Sequence, residues 1–375
     1  MSGRDTPVNF DFSEDLNQVR GEARTFLAQH AAGSARRALE SGHAFDRALW
    51  DEMAKLGWIG AAIPEAYGGA GLGDEGLCVL AEEIGRAVPA TPFASTAYLA
   101  SQAILRFGSE AQKSRLLPKL ADGTLVACFA LAEGLGAPRD AAIRATLRNG
   151  RIDGAKHPVI DGSIAGLAVV AVRDGTEVTL TLVDLTQENV TRTSLETLDP
   201  TRDAARIDFA SAAAEILPGA HGFSAVASLL DRAAVFFAFE QIGGAQACLG
   251  MARDYALQRQ AFGRQIGSFQ AIKHKLADVY VAIELARSNA YYGAWALGAE
   301  APDMTTAGSA ARVAATRAFE LASAENIQTH GGMGFTWESD CHLFYRRAKH
   351  LSLVIGGAPF WKDRLIGAIE QRNAA

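Results

Sequence analysis

The 375-residue sequence has few of the features that mark several large protein classes. Its four cysteines, Cys78, Cys128, Cys248 and Cys341, lie far apart with no CxxC pair, which argues against a disulfide framework or a thiolate zinc site and for reduced thiols. Charge of one sign is never concentrated: 36 basic against 42 acidic residues give a net −6, and no basic face offers itself to nucleic acid. Long hydrophobic runs are missing too. No stretch approaches the ~18 uncharged apolar residues of a membrane span; residues 233–239 are apolar but short, and Glu240 ends the run. The opening Met1-Ser2-Gly3-Arg4-Asp5 lacks the apolar segment of a secretory signal. His330, His342 and His350 fall near one another, but no spacing fits a standard metal site, so they are read as helix-surface residues. The expectation is a cytoplasmic protein with no metal, no membrane and no nucleic-acid partner.

What is present is a large apolar fraction, 49% of residues, enough to bury two or three cores. Apolar residues recur at helical spacing from Leu16, Val19 and Ala23 to Phe26 and Leu27, behind Ser13 as a cap. Further helices are predicted over residues 49–56, 76–86, 95–107 and 110–120. The period then changes. Buried β-like runs cover residues 125–131, 168–172, 178–183 and 205–209, and Asn149-Gly150 marks a two-residue hairpin between 145–148 and 151–153. From about residue 220 helical periodicity returns over 223–255, 267–297, 305–329 and 362–371. The fold class expected is α+β multidomain: an all-α N-terminal domain (1–124), a middle β-barrel or sandwich (125–218) and a C-terminal four-helix bundle (219–375).

Three motifs stand in order along this framework. They are Arg259-Gln260-Ala261-Phe262-Gly263-Arg264-Gln265-Ile266-Gly267-Ser268-Phe269-Gln270, then Gln328-Thr329-His330-Gly331-Gly332-Met333-Gly334-Phe335, and the earlier Leu56-Gly57 through Pro64-Glu65-Ala66-Tyr67-Gly68-Gly69. The first resembles the RxxFGxxIxxFQ signature of the acyl-CoA dehydrogenases, the second their QxxGGxGF motif, the third their N-terminal LG…PExyGG segment. The likeness covers almost the whole chain. It implies FAD, an acyl-CoA substrate oxidised between its α and β carbons, an electron-transfer flavoprotein as acceptor, and a tetramer assembled through the C-terminal bundle. It also implies that Arg259, Phe262, Gly263, Gln270, Gln328, Gly331 and Gly332 hold the adenosine half of a flavin whose ring lies in the neighbouring subunit. The residue types suit that task. A guanidinium forks onto phosphate, and glycine lets backbone N–H groups approach an anion.

The pattern breaks where the ring and the base belong. Counting on from Arg346-Arg347-Ala348-Lys349, which resembles the family's RDAK, the expected catalytic glutamate falls on Ile355. The family's ring contacts fall on Ala132, Pro158 and Ile160. A lost general base costs on the order of 10²–10⁴ in rate. This half-degraded site resembles the base-less subunit of bacterial hetero-oligomers acting on steroid side-chain CoA esters, in which a homologous partner holds the ring and the base. Other readings stay open. The base could be relocated to Glu240, or to Asp231, on the long helix where some family members carry it (matching Ala233 here). The chain could instead be a flavin-free structural subunit, or a flavin oxidase or monooxygenase.

Overall fold

The computed structural model describes residues 11–374. The N-terminal part is helical: α1 (Glu14–His30), α2 (Ser34–Ser41), α3 (Arg47–Lys55), α4 (Gly73–Ala87), a π-helical turn (Ala94–Ala100) running into α5 (Ser101–Phe107), and α6 (Glu110–Ala121). Ser13 caps α1 as its position predicts, accepting from the Leu16 N–H at 3.2 Å. The 8-residue helix α2 is not predicted from the sequence. It is only about two turns long, and its buried face consists of Ser34, Ala35 and Ala38, with no large apolar residue.

The middle segment folds into one eight-stranded sheet. Its strands are β1 (Ala127–Ala130), β2 (Thr146–Arg148), β3 (Arg151–Ile160), β4 (Leu167–Asp174), β5 (Glu177–Asp184), β6 (Val190–Ser194), β7 (Ala204–Ala213) and β8 (Glu215–His221). The order is β6-β7-β3-β2-β4-β5-β8, with β1 lying parallel to β4. The β2–β3 hairpin closes at Asn149 and Gly150, both left-handed (φ 52° and 71°), the geometry that two-residue hairpins demand.

The C-terminal part is α7 (Gly222–Gln258), a small hairpin of β9 (Gln260–Ala261) and β10 (Arg264–Gln265), α8 (Gln270–Gly298), α9 (Met304–His330), α10 (Cys341–Leu353) and α11 (Ala358–Ala374). Helices α7, α8 and α9 pack side by side, with α10 and α11 against α9. By length and composition α7 could cross a membrane, yet 72% of its most apolar window is buried inside the fold. It packs on α4 with backbones in contact: a Cβ on Gly85 would lie 1.7 Å from the Glu240 carbonyl oxygen, and one on Gly243 would lie 1.8 Å from that of Glu82. Glycine at both positions lets the first and last parts of the chain share one core, and fixes Glu240 at their crossing. All four cysteines are free and buried.

Candidate functional site

Alternating helix direction brings the C-terminus of α7, the N-terminus of α8 and the C-terminus of α9 to one end of the bundle. The Tyr255 and His330 rings stack there at 4.2 Å. Every residue assigned by resemblance to the adenosine side lies at this end: Arg259 just past α7, Phe262 and Gly263 in the β9–β10 turn, Gln270 opening α8, Gln328 on the last turn of α9, and Gly331 and Gly332 beyond it. All seven are exposed. Phe262 is 95% exposed and left-handed (φ 52°), so it is not a core residue. Gly331 caps α9 at φ 61°, and nothing lies within 4 Å of where a Cβ on Gly331 or Gly332 would stand. Among the described residues the Arg259 guanidinium has no partner. The first turn of α8 carries no side-chain cap. Open glycine backbone, an uncapped helix start and a free guanidinium form a donor set suited to a pyrophosphate.

The positions expected to face a flavin ring are built differently. Ala132 sits beside β3, its carbonyl accepting from the His157 N–H at 2.8 Å. Next to it Lys156, wholly buried, places its Nζ 2.6 Å from Glu133 Oε1, and burial pulls the lysine pKa down to about 8. Pro158 is exposed, and the Ile160 carbonyl accepts from Ser95 Oγ at 3.5 Å. Ile355 follows α10 in the left-handed region (φ 56°), an outlier for a β-branched side chain. Arg312 holds that turn by donating from Nη2 to the carbonyls of Leu351 and Val354, the latter at 3.0 Å. Trp361 Nε1 donates to the Gly356 carbonyl at 3.1 Å.

The two alternative carboxylates differ: Asp231 is fully hydrogen-bonded, whereas neither oxygen of Glu240 has a hydrogen-bond partner among the described residues. Asp231 is 3% exposed, gripped by Arg364 at 2.6 Å and bonded by Thr305 Oγ1 at 2.8 Å; burial raises its pKa against the pull of Arg364. Glu240 is 0% exposed, with Arg347 Nη1 at 3.8 Å from Oε1. It belongs to a buried charge cluster that sequence reasoning missed. Arg347 Nε pairs with Asp199 Oδ2 at 2.7 Å, its Nη2 donates to Thr201 Oγ1 at 2.9 Å, Arg202 pairs with Asp161 at 2.6 Å, and Ser95 donates to the same Asp161. His350 borders this cluster and is not a simple surface residue: burial and the arginines around it lower its pKa to about 3, so it is neutral. The sequence carries one signal of it: Arg347 stands where the RDAK pattern has its acid. Its partners, 148 residues away at Asp199, were not legible. Among the described residues no group of three or more His, Cys, Asp or Glu could hold a metal.

Burial lifts the Glu240 carboxyl above its usual 4.5, against Arg347, Arg202, Tyr98 and Arg312. A carboxyl raised in the folded state costs nothing while pH is below its unfolded pKa; the cost grows as pH rises from there to the folded pKa and then stays. Glu240→Gln should therefore raise the thermal midpoint at pH 7 and lose that advantage near pH 4. A midpoint lowered at pH 7 would refute the assignment, and loss of dehydrogenation in the same variant would mark Glu240 as a base.

Two family models match this chain, described as acyl-CoA dehydrogenase, N-terminal domain (residues 13–124) and C-terminal domain (residues 220–358). The acyl-CoA dehydrogenase IpdE2 of Mycobacterium tuberculosis is 34% identical over 338 residues, covering 89% of this chain and 91% of that protein. Acyl-CoA dehydrogenase FadE34 of the same organism is 32% identical over 355 residues, covering 92% of this chain but 46% of that longer protein. Among solved structures, a variant of the steroid ACAD Tcur3481-Tcur3483 is 31% identical with a TM-score of 0.87, covering 96% of this chain and 99% of that one.

Proposed function

The chain belongs to the acyl-CoA dehydrogenase family, and from that premise we propose that it is the subunit of a hetero-oligomer that supplies the adenosine half of an FAD site while a homologous partner supplies the ring pocket and the base. The observation that carries this reading is the contrast between the two halves. The donor set at the bundle end is open to a neighbour. At the other end the base position is Ile355, Asp231 is held by Arg364, and Glu240 is buried beside Arg347 with neither carboxylate oxygen hydrogen-bonded among the described residues. The residues fit the group on one side only: Arg259 would fork onto the pyrophosphate, Gly331 and Gly332 would present N–H groups to it, and Gln270 and Gln328 would bond the adenosine. Ala132, Pro158 and Ile160 offer the ring no side-chain hydrogen bond. FAD held there would supply the hydride acceptor for α,β-dehydrogenation of an acyl-CoA, with the partner's base taking the α-proton and an electron-transfer flavoprotein as the onward acceptor. Two comparisons favour a paired assembly and a bulky, steroid-like acyl group. The similar steroid enzyme is named for two proteins, and FadE34 is long enough for a second unit of this size.

The test is flavin content. The chain purified alone should show little absorbance near 450 nm, and co-purification with a homologue that carries the glutamate should give about one FAD per pair and dehydrogenation. A homo-oligomer fully loaded with FAD and active overturns the reading.

A further inference from the structure

A groove of about 250 Å³ opens between α1, α2, α4 and α10, lined by none of the residues assigned to the flavin. Its floor is apolar, built from Leu27, Ala31, Ala35, Val88, Leu343 and Phe344. Three arginines, Arg24, Arg36 and Arg86, line it with two carboxylates, Glu83 and Asp340, leaving one positive charge in excess.

The pairing within this set is uneven. Glu83 accepts from Arg24 at 3.0 and 2.8 Å and from Arg86 Nε at 3.2 Å. Arg36 is taken up by Asp340 and by the carbonyls of Trp337 and Glu338, at 2.8 and 3.1 Å. Arg86 is left with that single bond: among the described residues neither of its terminal nitrogens has a partner, although its side chain is only 27% exposed. Burial draws its pKa below the usual arginine range, and Glu83 does not make up the difference. A mostly buried guanidinium whose unpartnered fork still reaches solvent is the donor that a carboxylate satisfies with two parallel bonds. The floor asks for a different chemistry, an aliphatic or aromatic body, and at interior packing density the space holds roughly ten non-hydrogen atoms.

We propose that this groove binds a small amphipathic carboxylate, its head on the Arg86 fork and its tail on the floor beneath α1 and α10. The site joins the first helices to α10, whose far end leads into the Ile355 turn, so an occupant would bridge the first and last parts of the chain.

Octanoate, 1-octanol and inorganic phosphate would be titrated into the full chain by calorimetry. The expected result is one octanoate per chain, with octanol and phosphate each weaker by at least about tenfold, and the same loss in Arg86→Gln. Ala28 is exposed on α1 and lines the groove. Ala28→Trp should block octanoate with the thermal midpoint unchanged, and it decides the matter should Arg86→Gln fold poorly. Absence of octanoate binding, equal affinity for octanol or phosphate, or full affinity in a folded variant overturns the proposal. The flavin measurement above is unaffected by any of these outcomes.

Discussion

Replacing Arg347 with methionine is expected to cost about 3–5 kcal/mol of stability at neutral pH, because it leaves buried carboxylates without their counter-charge. The arginine, 1% exposed, ties three parts of the chain together: the Pro89 carbonyl after α4 at 3.4 Å, Asp199 and Thr201 in the loop before β7, and Glu240 on α7. Burial pushes the Asp199 carboxyl up, but Arg347 and the hydrogen bonds from Arg347 and Thr201 hold it below the usual range. In the wild type, then, Asp199 contributes stability above its unfolded pKa, near 3.8, and that contribution is lost as pH falls. In the variant the sign reverses: an unpaired buried carboxyl is raised, and stability is lost as pH rises through the range above 4. Urea midpoints should therefore fall more steeply between pH 4 and 7 in the variant than in the wild type, whose Asp199 contribution is already complete in that window. Adding Asp199→Asn to the variant should recover much of the loss, since removing both charges is far less costly than removing one. An unchanged midpoint in the single variant would show that the cluster contributes nothing.

The contrast between this cluster and the rest of the molecule shows which features a sequence displays. Ser13 and Asn149-Gly150 were readable because a cap and a hairpin turn depend on backbone a few residues away. The long helices were readable because their apolar residues repeat. Strand β6 was not, since its burial is slight along its whole length and no alternation marks it. Helix α10 was read as a motif carrier without being assigned as a helix, because the basic Arg346-Arg347-Ala348-Lys349 hides the buried Leu343, Phe344 and Leu351 around it. The adenosine-side residues could be named from spaced motifs, but their shared location depends on three helix ends meeting. The buried charges lay beyond sequence reasoning for the same reason at greater range: nothing local in Asp161, Asp199 or Glu240 distinguishes a fully buried acid from a solvated one.

Arg259→Ala should weaken FAD retention by the assembled hetero-oligomer about 10- to 100-fold, the equivalent of losing a charge-assisted bond to phosphate, without moving the thermal midpoint of the chain alone. The second half follows from where Arg259 stands: exposed, beyond the end of α7, with no partner in its own subunit to be orphaned. Ile355→Glu makes the opposite case. The turn is already left-handed and held from both sides by Arg312 and Trp361, so a glutamate can be placed there. By resemblance it would restore the base where the ring contacts remain Ala132, Pro158 and Ile160, and should create no dehydrogenation in the chain alone. Equilibrium dialysis of FAD and single-turnover flavin bleaching separate the two. If Arg259→Ala left FAD affinity intact, or Ile355→Glu alone produced turnover, the division of one flavin site between two unlike chains would fail: the first result would remove the adenosine half from this chain, and the second would give it a ring pocket of its own.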